Sequence, residues 1–223
     1  MVTDDYKGHL VFDCDGTLIS SQEGVFQCIS EFMGDILQRE VTRDEVVEKY
    51  TPDIFEILER FQIPDKIRKD RDYLNAKWSE IAAKHSSDHP AFPGIVEMLK
   101  YFQAKNYALY VWTARDRAST LEILKNEGIM PLIIDMRCLD DTIAKPHPQG
   151  IEELVGDFDK KKVIIIGDSF TDIQGAKSFG CASIGVTWSF HVEAAPLENE
   201  GATYIAATVE ECQQQIENYF EGN

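Results

Sequence analysis

Positive charge is scarce in this chain. Its 223 residues hold 22 lysines and arginines against 39 aspartates and glutamates, a formal net charge of −17. That balance argues against nucleic acid or an anionic membrane as partner, since phosphate surfaces reward Lys and Arg. Beyond that, an acidic surface is often just a soluble one. Cysteines are few and scattered: Cys14, Cys28, Cys138, Cys181 and Cys212 form no CxxC pair and no repeated spacing. They fit the reduced thiols of a cytosolic protein better than a disulfide framework. Long apolar runs are missing too. The longest, such as VIII at Val163–Ile166, suit strands and fall far short of a bilayer span. The opening MVTDDYKGHL is acidic and has no apolar centre, so no secretory signal is expected and a cytoplasmic location is. There is no internal repeat or low-complexity stretch, and an apolar share of 43% suffices for a sizeable core.

What is present is an alternation. Short β-rich apolar runs end in polar clusters and are followed by helical patterns. Leu10–Phe12 leads into DCDGT, Tyr107–Trp112 into TARDRAST, and Val163–Ile166 into GDSFTD. Helical stretches then stop at Gly128 and Gly180, Ala182–Val186 and Tyr204–Ala206 add strands, and VEECQQQIENYF closes with a helix. Strands alternating with helices predict an α/β fold, a Rossmann-like core of three layers around a parallel sheet. Ligands of such sheets bind outside the carboxyl ends of the strands, where the polar clusters sit. From about Ser20 to His89 the pattern is helical throughout (VFQCISEFMGDIL, DEVVEKY, DIFEILERF, YLNAKWSEIAAKH), with Thr42 or Thr51–Pro52 as helix starts and Pro64 as a break. The expected organisation is therefore a core of residues 1–19 and 90–223, interrupted by an all-helical domain over 20–89. The segment SSDHPAFPG forms part of the return linker.

Four strand ends carry the chemistry. Asp13 and Asp15 lie one residue apart, and on an extended path residues i and i+2 share a face. Two such carboxylates are tolerable beside a divalent cation, and hard oxygen ligands suit Mg²⁺. One could equally act as a nucleophile and the other as a proton donor. Gly16 supplies a sharp turn whose amides are free to face an anion. DGT is also ordinary turn chemistry. Thr113, directly after a buried strand, offers a hydroxyl to phosphate oxygens, or simply a helix cap. Lys145, in DDTIAKPHP, is held between a polar loop and two prolines, or is a solvated loop lysine. If a helix begins here, the spacing of Asp168 and Asp172 puts both on one side; a plain N-cap at Asp168 or Ser169 is the alternative.

The four segments in this order resemble the haloacid dehalogenase superfamily of phosphotransferases. Asp13–Leu18 (DCDGTL) is similar to its first motif, Thr113 to its second, Lys145 to its third and Gly167–Asp172 (GDSFTD) to its fourth. The likeness runs over nearly the whole chain, including a helical cap inserted after the first motif. It implies Asp13 as the nucleophile toward phosphorus, and Asp15 as acid toward the leaving oxygen and then base toward water. It implies Mg²⁺ held by the Asp13 carboxylate, the Asp15 carbonyl and Asp168, with Asp172 close by, ordering metal waters or Lys145. Thr113, the Ala114 amide and Lys145 would hold the phosphoryl oxygens, with Gly16 at the turn. The ARDR after Thr113 departs from many relatives, so Arg115 either reaches the substrate or cap or is an ion-paired surface residue.

The implied activity is a Mg²⁺-dependent phosphatase of a small phosphorylated metabolite, similar to phosphoglycolate phosphatase-like enzymes, in a monomer or homodimer. A phosphomutase of the β-phosphoglucomutase kind shares the four motifs, and a non-catalytic binding protein on this fold is the alternative from another class. Haloalkanoate dehalogenases lack the second aspartate of the first motif, so Asp15 argues for phosphate chemistry. Phosphonatases use a cap lysine for a Schiff base, and none stands out among Lys49, Lys66, Lys69, Lys77 and Lys84. The cap is expected to exclude water and to set selectivity, with Ser20–Glu23 nearest the site, while Trp78 belongs to the cap's own core. Cys14, between the two aspartates, should face away and pack as a small apolar residue.

Overall fold

Runs of β-branched and aromatic residues between polar turns become strands because such side chains fit a pleated, buried surface. A computed structural model of the chain describes residues 6–51, 54–84, 89–190 and 192–222. Met1–Asp5, and the Pro52 and Ser86–Asp88 positions read above as a helix start and part of a linker, lie outside them. Six strands form one parallel sheet: β1 (His9–Phe12), β2 (Ala108–Trp112), β3 (Asp135–Arg137), β4 (Val163–Gly167), β5 (Ala182–Val186) and β6 (Tyr204–Ala206). Their spatial order is β3-β2-β1-β4-β5-β6. β1 lies between β2 and β4, with Phe12 in register with Val111 on one side and Ile166 on the other.

The chain divides into two compact units, one ending at Ser20 and resuming at Pro90, the other running from Ser21 to His89. The second is all-helical among its described residues: α1 (Ser21–Leu37), α2 (Arg43–Lys49), α3 (Ile54–Arg60), α4 (Asp65–Arg68) and α5 (Arg71–Lys84). Thr42 caps α2 by accepting from the Glu45 amide at 3.2 Å, while Pro64 opens α4 rather than merely ending α3. Trp78 meets Phe32 edge-on at 5.5 Å, inside this unit's own packing. The sheet unit adds α6 (Ile95–Ala104), α7 (Arg117–Asn126), α8 (Gln149–Val155), α9 (Phe170–Phe179), α10 (Ala194–Glu200) and α11 (Val209–Glu221).

Alternation along the strands sorts the core into two layers. Leu10, Phe12, Leu109 and Val111 pack with Leu99, Phe102, Leu124 and Ile216 of α6, α7 and α11. Val11, Tyr110, Trp112 and Ile165 pack on the opposite face with Ile151, Leu154, Ala176 and Phe179 of α8 and α9. Cys14 is fully buried in the first layer, and all five cysteines are free thiols. Among the described residues no helix is long and apolar enough to cross a membrane.

Three elements carry no clear signal in the sequence. β3 (DMR) is an edge strand flanked by charges, with Arg137 donating to Asp135 at 2.8 Å. α8 and α10 have seven residues each, and proline masks them, Pro148 standing directly before α8 and Pro196 inside α10.

His9 begins β1 inside the core, 1% exposed, with Nδ1 3.3 Å from the Tyr110 hydroxyl and its ring 4.1 Å from that of Phe158. Burial, aided by the charge of Lys162, lowers its pKa from 6.5 to about 4. The folded protein therefore refuses a proton that the unfolded chain binds between these values. The stability gained is complete above pH 6.5 and is lost as pH falls toward 4. Urea denaturation at pH 7 and pH 5 should show the wild type losing about 2 kcal/mol more over that interval than His9→Gln. Equal losses would mean that the ring accepts the proton inside the fold.

Candidate active site

From β1 the chain runs outward through β2 to β3, then returns past β1 and runs the other way through β4, β5 and β6. The ends of β1 and β4 therefore meet where the strand order reverses, the place at which open parallel sheets bind ligands. Asp13 follows β1 and Asp168 follows β4, and the Asp13 amide donates to the Ile166 carbonyl at 2.8 Å.

Lys145 ties the site together. Its ammonium lies 2.5 Å from Asp13 Oδ1 and 2.6 Å from Asp172 Oδ1, and 4.8 Å above the Trp112 ring. The side chain is 4% exposed. Burial by itself would lower its pKa, but the charges of Asp13 and Asp172 and their hydrogen bonds outweigh that and hold it above the ordinary lysine value. Trp112 is a fitted floor. A Cβ at Gly175 would stand 2.3 Å from the indole, so only glycine lets α9 approach it. The loop that carries Lys145 is clamped from the other side. The Arg117 amide donates to Asp140 (2.9 Å), its Nε to both Asp141 oxygens (2.8 Å) and its Nη2 to the Met136 carbonyl (2.8 Å). The Lys145–Pro146 peptide is cis.

Asp13, Asp168 and Asp172 each bring a carboxylate oxygen within 4.8 Å of the others. The Asp13 carboxyl is raised well above its usual range, by burial and then by the charges of Asp172 and Asp168, against the opposing pull of Lys145. Asp168 is pushed up to about 7 by burial and the Asp172 charge. Three carboxylates thus share one ammonium, a charge deficit that suits a hard divalent cation. Gly16 makes room for Asp168: its φ is +76°, and a Cβ there would fall 1.9 Å from Asp168 Oδ2. The oxygen donors fit Mg²⁺.

The details differ from several expectations. The extended path stops at Phe12, and the Gly16 amide donates to the Ile19 carbonyl at 2.9 Å rather than pointing at an anion. The Leu18 and Ile19 amides both turn back to the Cys14 carbonyl. Asp15 therefore leaves the carboxylate cluster. Its two oxygens accept from Arg115 Nε (3.0 Å) and Nη2 (2.5 Å). Asp168 precedes α9 instead of sharing a helix face with Asp172. Asp172 spends Oδ1 on Lys145 and Oδ2 on the Ser169 amide and hydroxyl, which makes it a holder of Lys145 and of the helix start. Thr113 Oγ1 accepts from the Arg115 amide at 3.1 Å, leaving the hydroxyl proton for another acceptor, and Ala114 lies between them in the same turn. In the helical unit, Lys77 and Lys84 pair with Asp35 (2.6 Å) and Glu31 (2.5 Å). Those hydrogen bonds raise both ammonium pKa values, the opposite of what a Schiff-base amine needs.

Trp112, Ser169 and the Arg117–Asp141 clamp were not singled out from sequence as parts of the site. Only the S-x-x-D spacing of Ser169 and Asp172 is a readable signal, being half of a helix-capping pattern.

The pattern described as haloacid dehalogenase-like hydrolase matches residues 10–186, and the chain belongs to that family. It is 23% identical over 192 residues to the pyrophosphatase PpaX of Bacillus pumilus, covering 83% of this chain and 86% of that one. In fold it is similar to a putative phosphatase from Clostridium difficile, with a TM-score of 0.73 at 24% identity, over 96% of this chain and all of that one. A hydrolase of the same family from Deinococcus radiodurans, solved with bound phosphate and sodium, superposes with a TM-score of 0.76 at 17% identity, over 97% of each chain.

Removing the ammonium strands two buried carboxylates. Lys145→Met should cost about 3–5 kcal/mol in urea denaturation at pH 7. Adding Asp172→Asn to it should recover part of the loss. A cost under about 1 kcal/mol would mean that water reaches the cluster freely.

Proposed function

We propose that the chain is a Mg²⁺-dependent phosphatase of small phosphorylated metabolites, working through a phosphoryl group carried on Asp13. The observation that carries this reading is the Asp13 carboxylate itself. It is buried at the switch point of the sheet, with one oxygen held by Lys145 at 2.5 Å and Asp168 beside it.

Asp13 and Asp168 would hold the ion, with the Asp15 carbonyl as the family resemblance implies. Bound Mg²⁺ supplies positive charge for the carboxylates and the phosphoryl oxygens. Lys145 fixes Asp13 through Oδ1 and leaves Oδ2 to attack phosphorus. As that bond forms, the bond from phosphorus to the leaving oxygen breaks, and the leaving oxygen takes a proton from Asp15. Asp15, now a carboxylate, accepts a proton from the water that attacks phospho-Asp13, which releases phosphate and restores Asp13. The Thr113 hydroxyl and Lys145 serve the phosphoryl oxygens, together with the Ala114 amide. These are the two needs of phosphoryl transfer, positioning and charge neutralisation. In the same reading the unit from Ser21 to His89 acts as the cap that limits water and selects substrates. The resemblance to a pyrophosphatase brings diphosphates into the substrate range.

The test is phosphate release from a panel of phosphomonoesters and pyrophosphate, with Mg²⁺ or with a chelator. Activity should vanish with the chelator and fall at least about a thousandfold in Asp13→Asn, the loss of a nucleophile. Release that survives the substitution would remove Asp13 from the mechanism. A folded protein that releases nothing, yet isomerises a sugar phosphate when given a bisphosphate, would be a mutase.

A further inference from the structure

The pairing of Asp15 with Arg115 is not explained by a phosphatase site alone. The guanidinium grips both carboxylate oxygens side-on, through Nε at 3.0 Å and Nη2 at 2.5 Å, and Nη1 takes no part in that grip. Arg115 is the one cation paired with Asp15 among the described residues. A carboxyl in this embrace is an acceptor at both oxygens. To give a proton to a leaving group it must first lose at least one of these bonds. The two side chains are 21% and 33% exposed, so an incoming molecule can reach the pair.

The backbone of Arg115 is pinned independently of its side chain. Its amide donates to Thr113 Oγ1 at 3.1 Å, and its carbonyl accepts from the Leu139 amide at 3.0 Å. Thus the residue is anchored to the phosphoryl-binding threonine and to the loop that leads to Lys145. Only rotation of the side chain is needed to move the guanidinium. A planar fork leaves a bidentate carboxylate readily only for another anion that matches it, a second carboxylate or a phosphoryl group.

We propose that Arg115 is a positioning and specificity-determining residue, a latch that frees Asp15 when the leaving group of the substrate brings a second anionic group. This rests on the phosphatase reading above and narrows its substrate class. A substrate with two anionic groups draws the guanidinium onto the second one. Asp15, no longer gripped at both oxygens, is then free to meet the leaving oxygen as the phosphorus–oxygen bond breaks. A neutral leaving group offers the guanidinium nothing, so Asp15 stays engaged and turnover is slow.

The experiment compares wild type, Arg115→Gln and Arg115→Lys on three substrates with Mg²⁺. These are p-nitrophenyl phosphate (no second anion), 2-phosphoglycolate (a carboxylate) and pyrophosphate (a phosphoryl group). The wild type should prefer at least one two-anion substrate. In Arg115→Gln the ratio of kcat/KM for that substrate over the aryl phosphate should collapse tenfold or more. The KM of the two-anion substrate should rise, while turnover of the aryl phosphate increases as Asp15 is released. Arg115→Lys keeps the charge without the fork and should recover part of the ratio. Which of the two acids prefers the wild-type latch tells a carboxylate from a phosphoryl partner. A parallel fall on all three substrates, with an unchanged ratio, would overturn the latch and leave Arg115 as a brace of the loop, the phosphatase reading standing. A wild type without activity on any of them would take the latch down together with that reading.

Discussion

Much of this molecule is arranged around one buried ammonium. Lys145 reaches from a loop into the end of the sheet and sits between Asp13 and Asp172 at 2.5 and 2.6 Å, over the face of Trp112. Taking three charges out of water is costly, and the attraction among them repays it only when the geometry is close. That closeness has demands beyond the three residues. Trp112 must be flat under the ammonium, so α9 carries glycine at 175 where it crosses the indole. The loop must hold its course, so Arg117 binds both Asp140 and Asp141 along it. Asp172 must be in place before the lysine arrives, and the Ser169 amide and hydroxyl fix it at the start of α9.

The sheet supplies the rest of the accuracy. Parallel register places Phe12 beside Ile166, so that Asp13 stands level with Gly167 and Asp168 follows one residue further on. The turn after Asp13 is stabilised by its own backbone: Leu18 and Ile19 close on the Cys14 carbonyl, and Gly16 closes on Ile19. A tight turn at this point brings glycine against Asp168, where any side chain would collide. Acidic residues accumulate here because rigid backbone holds them, and their mutual repulsion is the capacity of the site to take a cation.

The parts of this that were legible in sequence share one physical property: they are written in short continuous runs. VFDCDGT and VIIIGDSFTD each contain a buried strand, a turn and the charged residues at its tip, so fold and site chemistry can be read together. The helical insert was legible by its period. β3 was not, because an edge strand of three residues bounded by Asp135 and Arg137 has no apolar run to show. Trp112 reads as any core aromatic, and its place beneath Lys145 depends on a contact 33 positions away in the chain that no local pattern encodes. The partner of Asp15 was hidden for the same reason. Arg115 stands a hundred residues on, and spacing cannot say whether such an arginine faces solvent, substrate or a carboxylate.

The two aspartates of the first motif therefore do not share one solution to their charge. A reading from the strand period has them converge and calls for a metal to reconcile them. In the fold the turn at Gly16 separates them, and each has its own cation: Asp13 a buried ammonium, Asp15 a partly exposed guanidinium. The difference in burial is the informative part. Lys145 is sealed in and held in its charged form by two carboxylates, which suits a permanent member of the site. Arg115 is partly exposed, and its fork can pass to another anion that matches it. A nucleophile benefits from a fixed counter-ion, because its position must not vary between turnovers. An acid–base group benefits from a removable one, because its proton must leave once and return once in each cycle. A fixed cation at Asp13 and an exchangeable one at Asp15 are what the roles proposed above for the two residues require.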